Sequence, residues 1–138
     1  MPEAIQFLVG RNPANISKAA AVEIPAGTDP ASFTADQQNS KHRVWRLDTS
    51  GDAGAANLPA NNYRAKLYVD ATKATQDATV FFGSDITGNT LITTRHETIP
   101  AGSYWEMPFP VDTGALQVGL NASTTSATPV IVREVSFN

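Results

Sequence analysis

His42 and His96 are the only histidines and the first side chains to weigh for chemistry. A neutral imidazole can ligate a metal or act as a general base. Each histidine stands in a charged strand-like run, Lys41-His42-Arg43 or Arg95-His96-Glu97. A two-histidine, one-carboxylate site would take Glu97 as its third ligand. Adjacent residues on a strand point to opposite faces, however, so Glu97 turns away from His96. The pattern predicts two surface histidines. Asp48-Thr49-Ser50-Gly51-Asp52 sets two carboxylates around a glycine, as calcium loops do, but it lacks a third acid and the closing glutamate. It reads as a solvated turn. Glu97 and Glu106 could pair across a cleft as glycosidase acids do, yet the corner between them predicts rim charges of a hairpin. No Gly-x-Ser-x-Gly elbow occurs, and Gly51-Asp52-Ala53-Gly54 lacks the lysine and the following helix of a phosphate loop. The expectation is a protein that is not an enzyme and takes neither cofactor nor metal.

The aromatic residues carry two readings. Trp45, Trp105, Tyr63, Tyr68 and Tyr104 could form a platform on one sheet face that stacks against sugar rings, or they could fill a core or a protein interface, where large rings bury well. Core or interface is the favoured reading. Tyr104 and Trp105 are adjacent, so on a regular strand one of them faces outward.

Composition narrows the classes. The chain has 138 residues, enough for one domain with a real core. Charged residues make up only 17%, against about 25% in typical soluble domains. Ala, Thr, Asn and Ser fill the difference, giving a surface with little side-chain entropy to lose on contact. The net charge is −3, and the densest basic patch is Lys41-His42-Arg43 with Arg46. Nucleic-acid binding by counterion release needs clustered Lys and Arg, so it is not expected. Cysteine is absent, which rules out disulfides and thiolate zinc sites and leans toward cytoplasmic synthesis. Met1-Pro2-Glu3-Ala4-Ile5 has no basic or apolar signal region, and no apolar run approaches the ~20 residues of a membrane helix.

The positioning elements are announced by a recurring corner. It reads Ile24-Pro25-Ala26-Gly27-Thr28, then Leu58-Pro59-Ala60-Asn61-Asn62-Tyr63, then Ile99-Pro100-Ala101-Gly102-Ser103-Tyr104. An apolar residue closes a strand, Pro fixes φ at the first turn position, and Gly or Asn supplies φ > 0, as a type II turn requires. Nine strands are predicted: 5–9, 17–24, 42–48, 63–71, 78–83, 89–99, 103–109, 115–121 and 128–137, the last two as a closing hairpin. In the fourth, Tyr63, Ala65, Leu67 and Val69 face one way and Arg64, Lys66, Tyr68 and Asp70 the other. Residues 25–41 read as irregular, 49–57 as a flexible surface loop, and 71–78 as the best short helix. Strands at this spacing predict a single all-β domain, an antiparallel, jelly-roll-like sandwich of eight or nine strands.

Taken together, the Ala/Thr/Asn-rich, cysteine-free composition, the Pro-Ala-Gly corners and the closing hairpin ending at Phe137 resemble small virion proteins of tailed bacteriophages, above all capsid decoration or cement proteins, with tail or head fibre proteins next. The resemblance implies a sandwich, often trimeric, made in the host cytoplasm and seated on the capsid surface. Its partner there would be the major capsid protein, and no nucleic acid or membrane would be bound. It carries over no functional residue. Contacts are expected from the segment 1–13, with Ile5, Phe7 and Val9 forming an arm that adds to a partner's sheet edge or a strand that pairs within its own domain. Further contacts are expected from Phe33 in the irregular stretch and from Trp105. A carbohydrate-binding or lectin-like module is the alternative.

Overall fold

His42–Leu47 shows how the sequence builds the fold: Arg43, Trp45 and Leu47 are buried while Arg46 is exposed. Period-two alternation of this kind demands a second layer to cover the inner row. The computed structural model describes residues 19–87 and 90–137, apart from the side chains of 84–94. It contains β1 (Val22–Glu23), β2 (His42–Leu47), β3 (Ala56–Leu58), β4 (Arg64–Asp70), β5 (Ala78–Thr87), β6 (Thr90–Ile99), β7 (Tyr104–Glu106), β8 (Leu116–Leu120) and β9 (Val130–Ser136), with one short helix, α1 (Ala35–Asn39). The strands form a five-stranded sheet in the order β1-β2-β9-β4-β7 and a four-stranded sheet in the order β3-β8-β5-β6. All pairs are antiparallel except β1 with β2. The protein is an all-β sandwich. Pairing is nested: β2 with β9, β3 with β8, β4 with β7 and β5 with β6, as though one long hairpin had been rolled across two layers. Trp45, Leu67, Val69 and Val132 from one sheet meet Val80, Phe82, Leu116 and Val118 from the other in the core.

Two of the three corners are type II turns. Thr28 N–H bonds to Pro25 O at 3.2 Å and Ser103 N–H to Pro100 O at 3.1 Å. Gly27 and Gly102 take φ of 80° and 84°. The hydroxyls of Thr28 and Ser103 close onto the same proline carbonyls, at 2.6 and 2.5 Å. The middle corner differs. Among the described residues no non-glycine has positive φ. Asn61 instead accepts from Tyr63 N–H with its side chain, at 2.9 Å, and from Arg64 N–H with its carbonyl, at 3.1 Å. Asn found a side-chain route to the turn that needs no left-handed backbone.

Other expectations are corrected. Residues 54–58 are buried rather than a flexible loop, because β3 pairs with β8 and Gly27 N–H bonds to Ala55 O at 2.7 Å. β8 and β9 lie in different sheets, so they form no closing hairpin. β6 and β7 are likewise split between the sheets, so Glu97 and Glu106 are not rim charges of one hairpin. Of the predicted helix 71–78, residues 71–77 form turns and bends, with Ala74 N–H on Ala71 O, and Ala78 opens β5. The helix falls instead at Ala35–Asn39, where Thr34 and Gln37 form a reciprocal capping box at 3.2 and 3.0 Å. The predicted strand 5–9 lies outside the described residues.

Gly27 tests the close approach of the first corner to the segment before β3. An added Cβ would sit 2.1 Å from Ala53 O, on top of the positive φ. Gly27→Ala is expected to cost about 3 kcal/mol or more in urea unfolding. Gly51→Ala, at φ 86° with open space around it, should cost only about 1–2 kcal/mol.

Candidate functional site

Three charged side chains are buried together at one end of the sandwich. Arg64 on β4 is fully buried, Glu134 on β9 is 1% exposed, and Arg43 on β2 is 5% exposed. Arg43 Nε donates to Glu134 Oε1 at 2.6 Å and Arg64 Nε to Glu134 Oε2 at 2.8 Å. Arg64 also donates to the carbonyls of Asp112 (2.7 Å), Gly114 (2.9 Å) and Pro59 (3.0 Å). A register shift between Arg64 and Lys66 puts the guanidinium inside. That β-bulge corrects the expectation that Arg64 shares a face with Lys66, Tyr68 and Asp70. One extra residue in the ladder reverses the facing of everything before it. The triad is almost wholly buried and bonded to itself and to backbone carbonyls, so it positions strands, and Arg43, 5% exposed, is the member that reaches a surface hollow.

A cluster of aromatic and ionisable groups that meets solvent lies on the outer face of the five-stranded sheet. Register sets them in rows. Asp70 on β4 stands opposite Tyr104 on β7 and Ile131 on β9, and Ile131 stands opposite Arg46 on β2. In the next row Tyr68 stands opposite Glu106 and Arg133. The Tyr68 and Tyr104 rings are 5.9 Å apart, tilted by 34°. Tyr104 is 55% exposed. Lys66 Nζ lies 5.8 Å over the Tyr68 ring and 3.8 Å from Glu106 Oε1. A hollow of about 290 Å³ is lined by Tyr68, Asp70, Tyr104, Ile131 and Arg133. It adjoins a second hollow of about 230 Å³ that shares Asp70 and Ile131 and reaches Arg46. Asp70 accepts from Thr72 Oγ1 at 2.6 Å and from Thr72 N–H at 3.0 Å. These bonds, with Arg133 and Lys73 behind them, hold its carboxyl below the ordinary aspartate range.

The residues singled out from sequence are dispersed. Trp45 is fully buried in the core. Phe33 is 6% exposed and packs in the core cluster, with the Arg43 guanidinium 5.7 Å from its ring centre, and its edge lines a surface hollow. Its position in an irregular stretch concealed that the stretch folds back over the sandwich. Trp105 is half-buried and packs against the core, while its neighbour Tyr104 takes the outward position. Ile5, Phe7 and Val9 lie outside the described residues. His42 is on the five-stranded sheet, its Nδ1 3.2 Å from Ala19 O, and His96 is exposed on the four-stranded one. Asp48 accepts from Thr49 Oγ1, and Asp52 opens a short 3₁₀ turn. Among the described residues no group of three or more His, Asp or Glu could hold a metal ion. Nor is any helix there long and apolar enough to cross a membrane. Sequence reasoning missed the triad and the Tyr68–Arg133 pairing, since both depend on which distant strands become neighbours.

Glu134→Gln removes the one anion between two buried guanidinium groups and is expected to cost about 3–5 kcal/mol in equilibrium unfolding. Glu23→Gln, which breaks the exposed pair with Arg46 at 3.8 Å, should cost under about 1 kcal/mol. Thr72→Val should raise the Asp70 titration toward its ordinary value in an NMR pH series. Because the folded carboxyl is depressed, the stability lost in this variant is fully visible above about pH 4 and vanishes as pH falls through the lowered value.

No protein-family model, no curated protein and no solved structure matches this chain.

Proposed function

We propose that the chain is a structural virion protein that binds the outside of an assembled bacteriophage capsid and stabilises it, a decoration or cement protein rather than an enzyme. The major capsid protein is its partner, and a homotrimer on the capsid surface is its working state. The nested strand order fits a jelly roll, an architecture that viral capsid and lectin domains share.

The observation that carries this reading is the outer face of the five-stranded sheet. Protein interfaces concentrate their binding energy in a few Tyr, Trp and Arg side chains ringed by polar groups. Tyr68, Tyr104 and Arg133 cluster there, with Lys66 and Glu106 beside them. The face is borne on strands rather than loops, so little order must be gained on docking. A protein that binds only the assembled shell stabilises it in proportion to RT ln(1 + [L]/Kd), and many copies multiply a modest affinity.

The same face favours a second reading, a sugar-binding module. Two tyrosine rings beside Asp70 and Arg133 offer both a stacking surface and hydroxyl-binding groups. Trp45, in the core, takes no part in it.

Co-sedimentation with shells of the source phage tests the proposal. The protein should pellet with shells, and Tyr104→Ala or Arg133→Ala should weaken binding by about 30-fold, as loss of a hot spot worth about 2 kcal/mol does. Light scattering should give three times the 14.7 kDa chain mass. Failure to pellet, together with glycan-array binding abolished by Tyr104→Ala, would replace the capsid reading with the sugar reading.

A further inference from the structure

At the triad end of the sandwich, α1 and the turn after β3 border a groove of about 600 Å³, within the range of about 300–1,000 Å³ typical of ligand sites. Phe33, Ser40, Lys41, Arg43, Asn61 and Tyr63 are among its lining. Its two charged lining residues, Lys41 and Arg43, are both cationic, in a chain of net charge −3. Lys41 lies in the bend just before β2 and Arg43 is the second residue of that strand, and both line the groove. Arg43 is pre-set: its guanidinium is held by Glu134 and lies 5.7 Å from the Phe33 ring centre and 5.9 Å from that of Trp45. Glu134 is shared with Arg64, so a single carboxylate serves two guanidinium groups and the groove floor keeps an excess of positive charge. At the rim Lys41 Nζ sits 5.2 Å over the ring of Tyr63, which is 61% exposed. Immobilised cations beside exposed aromatic surface suit a carboxylate carried next to an apolar group.

We propose that this groove docks an acidic peptide segment of a partner protein, with a Glu or Asp carboxylate taken by Lys41 and Arg43 and a flanking apolar side chain laid on Tyr63. The charge complementarity commits the site to an anionic chain. The site is separate from the outer tyrosine face and does not rest on the capsid reading.

The test uses the ¹⁵N-labelled full chain and an amidated peptide of alternating leucine and glutamate. The controls are its leucine–glutamine counterpart and free glutarate. The glutamate peptide should shift the backbone amides of Ser40, Lys41, Asn61 and Tyr63 saturably. Affinity should fall at least about tenfold in Lys41→Glu and with salt raised from about 50 to 300 mM. The Lys41 side chain is outside the Glu134 triad, and Lys41→Gln serves as a second variant should Lys41→Glu melt early. No saturable shift at these amides would overturn the proposal, as would equal binding of the glutamine peptide. Glutarate binding as tightly as the peptide would make this a small-carboxylate site and also overturn it.

Discussion

The fold depends on how Glu134 is satisfied. Taking a carboxylate and two guanidinium groups out of water is costly, and attraction between them offsets that only when the remaining donors are also bonded. Here the surplus cation is spread over backbone carbonyls. Pro59, Asp112 and Gly114 accept from Arg64, and Gln37 accepts from Arg43 at 3.4 Å. One carboxylate thereby ties the two strands that flank β9 to it and fastens the helix and two interstrand loops onto the same end. A hydrophobic residue at 134 could fill the space but could not orient four carbonyls, so the triad specifies an arrangement that apolar packing alone leaves open.

That arrangement sets the outer surface as well. The bulge that turns Arg64 inward leaves Lys66, Tyr68 and Asp70 outward in regular alternation. Tyr68 then meets Arg133 and Glu106 across the ladder, and Asp70 meets Tyr104. The exposed tyrosine pair and the buried ion cluster are two faces of the same register. A slip of one residue in β4 would exchange them.

The sequence made the sandwich legible because Trp45, Leu67, Val69 and Val132 fall on strict alternation, and because Pro-Ala-Gly marks the corners at Gly27 and Gly102. It did not disclose β3, whose residues Ala56 and Asn57 look like loop by composition. That strand exists because β8 offers an edge and Thr28 O accepts from Asn57 Nδ2 at 3.2 Å. The helix 35–39 did carry a local signal, the Thr34–Gln37 capping box, set in a stretch rich in turn formers. The candidate face was only half readable. Adjacent Tyr104 and Trp105 had to part, but which turned outward depended on β7 pairing with β4. Nothing in a linear string states that residues 68 and 133 are partners.

The nested pairing has a kinetic meaning. β9 follows every other described strand in the chain, yet it occupies the centre of the five-stranded sheet, between β2 and β4. Until it is synthesised, β2 and β4 have no ladder between them, and Arg43 and Arg64 have no carboxylate to share. The four-stranded sheet, in which β5 and β6 are adjacent both in sequence and in space, can assemble earlier. This topology places the closing contacts of the five-stranded sheet at long sequence separation, so loop-closure entropy is expected to weigh on the folding rate. The charged end of the sandwich is therefore complete only once β9 is in place between β2 and β4.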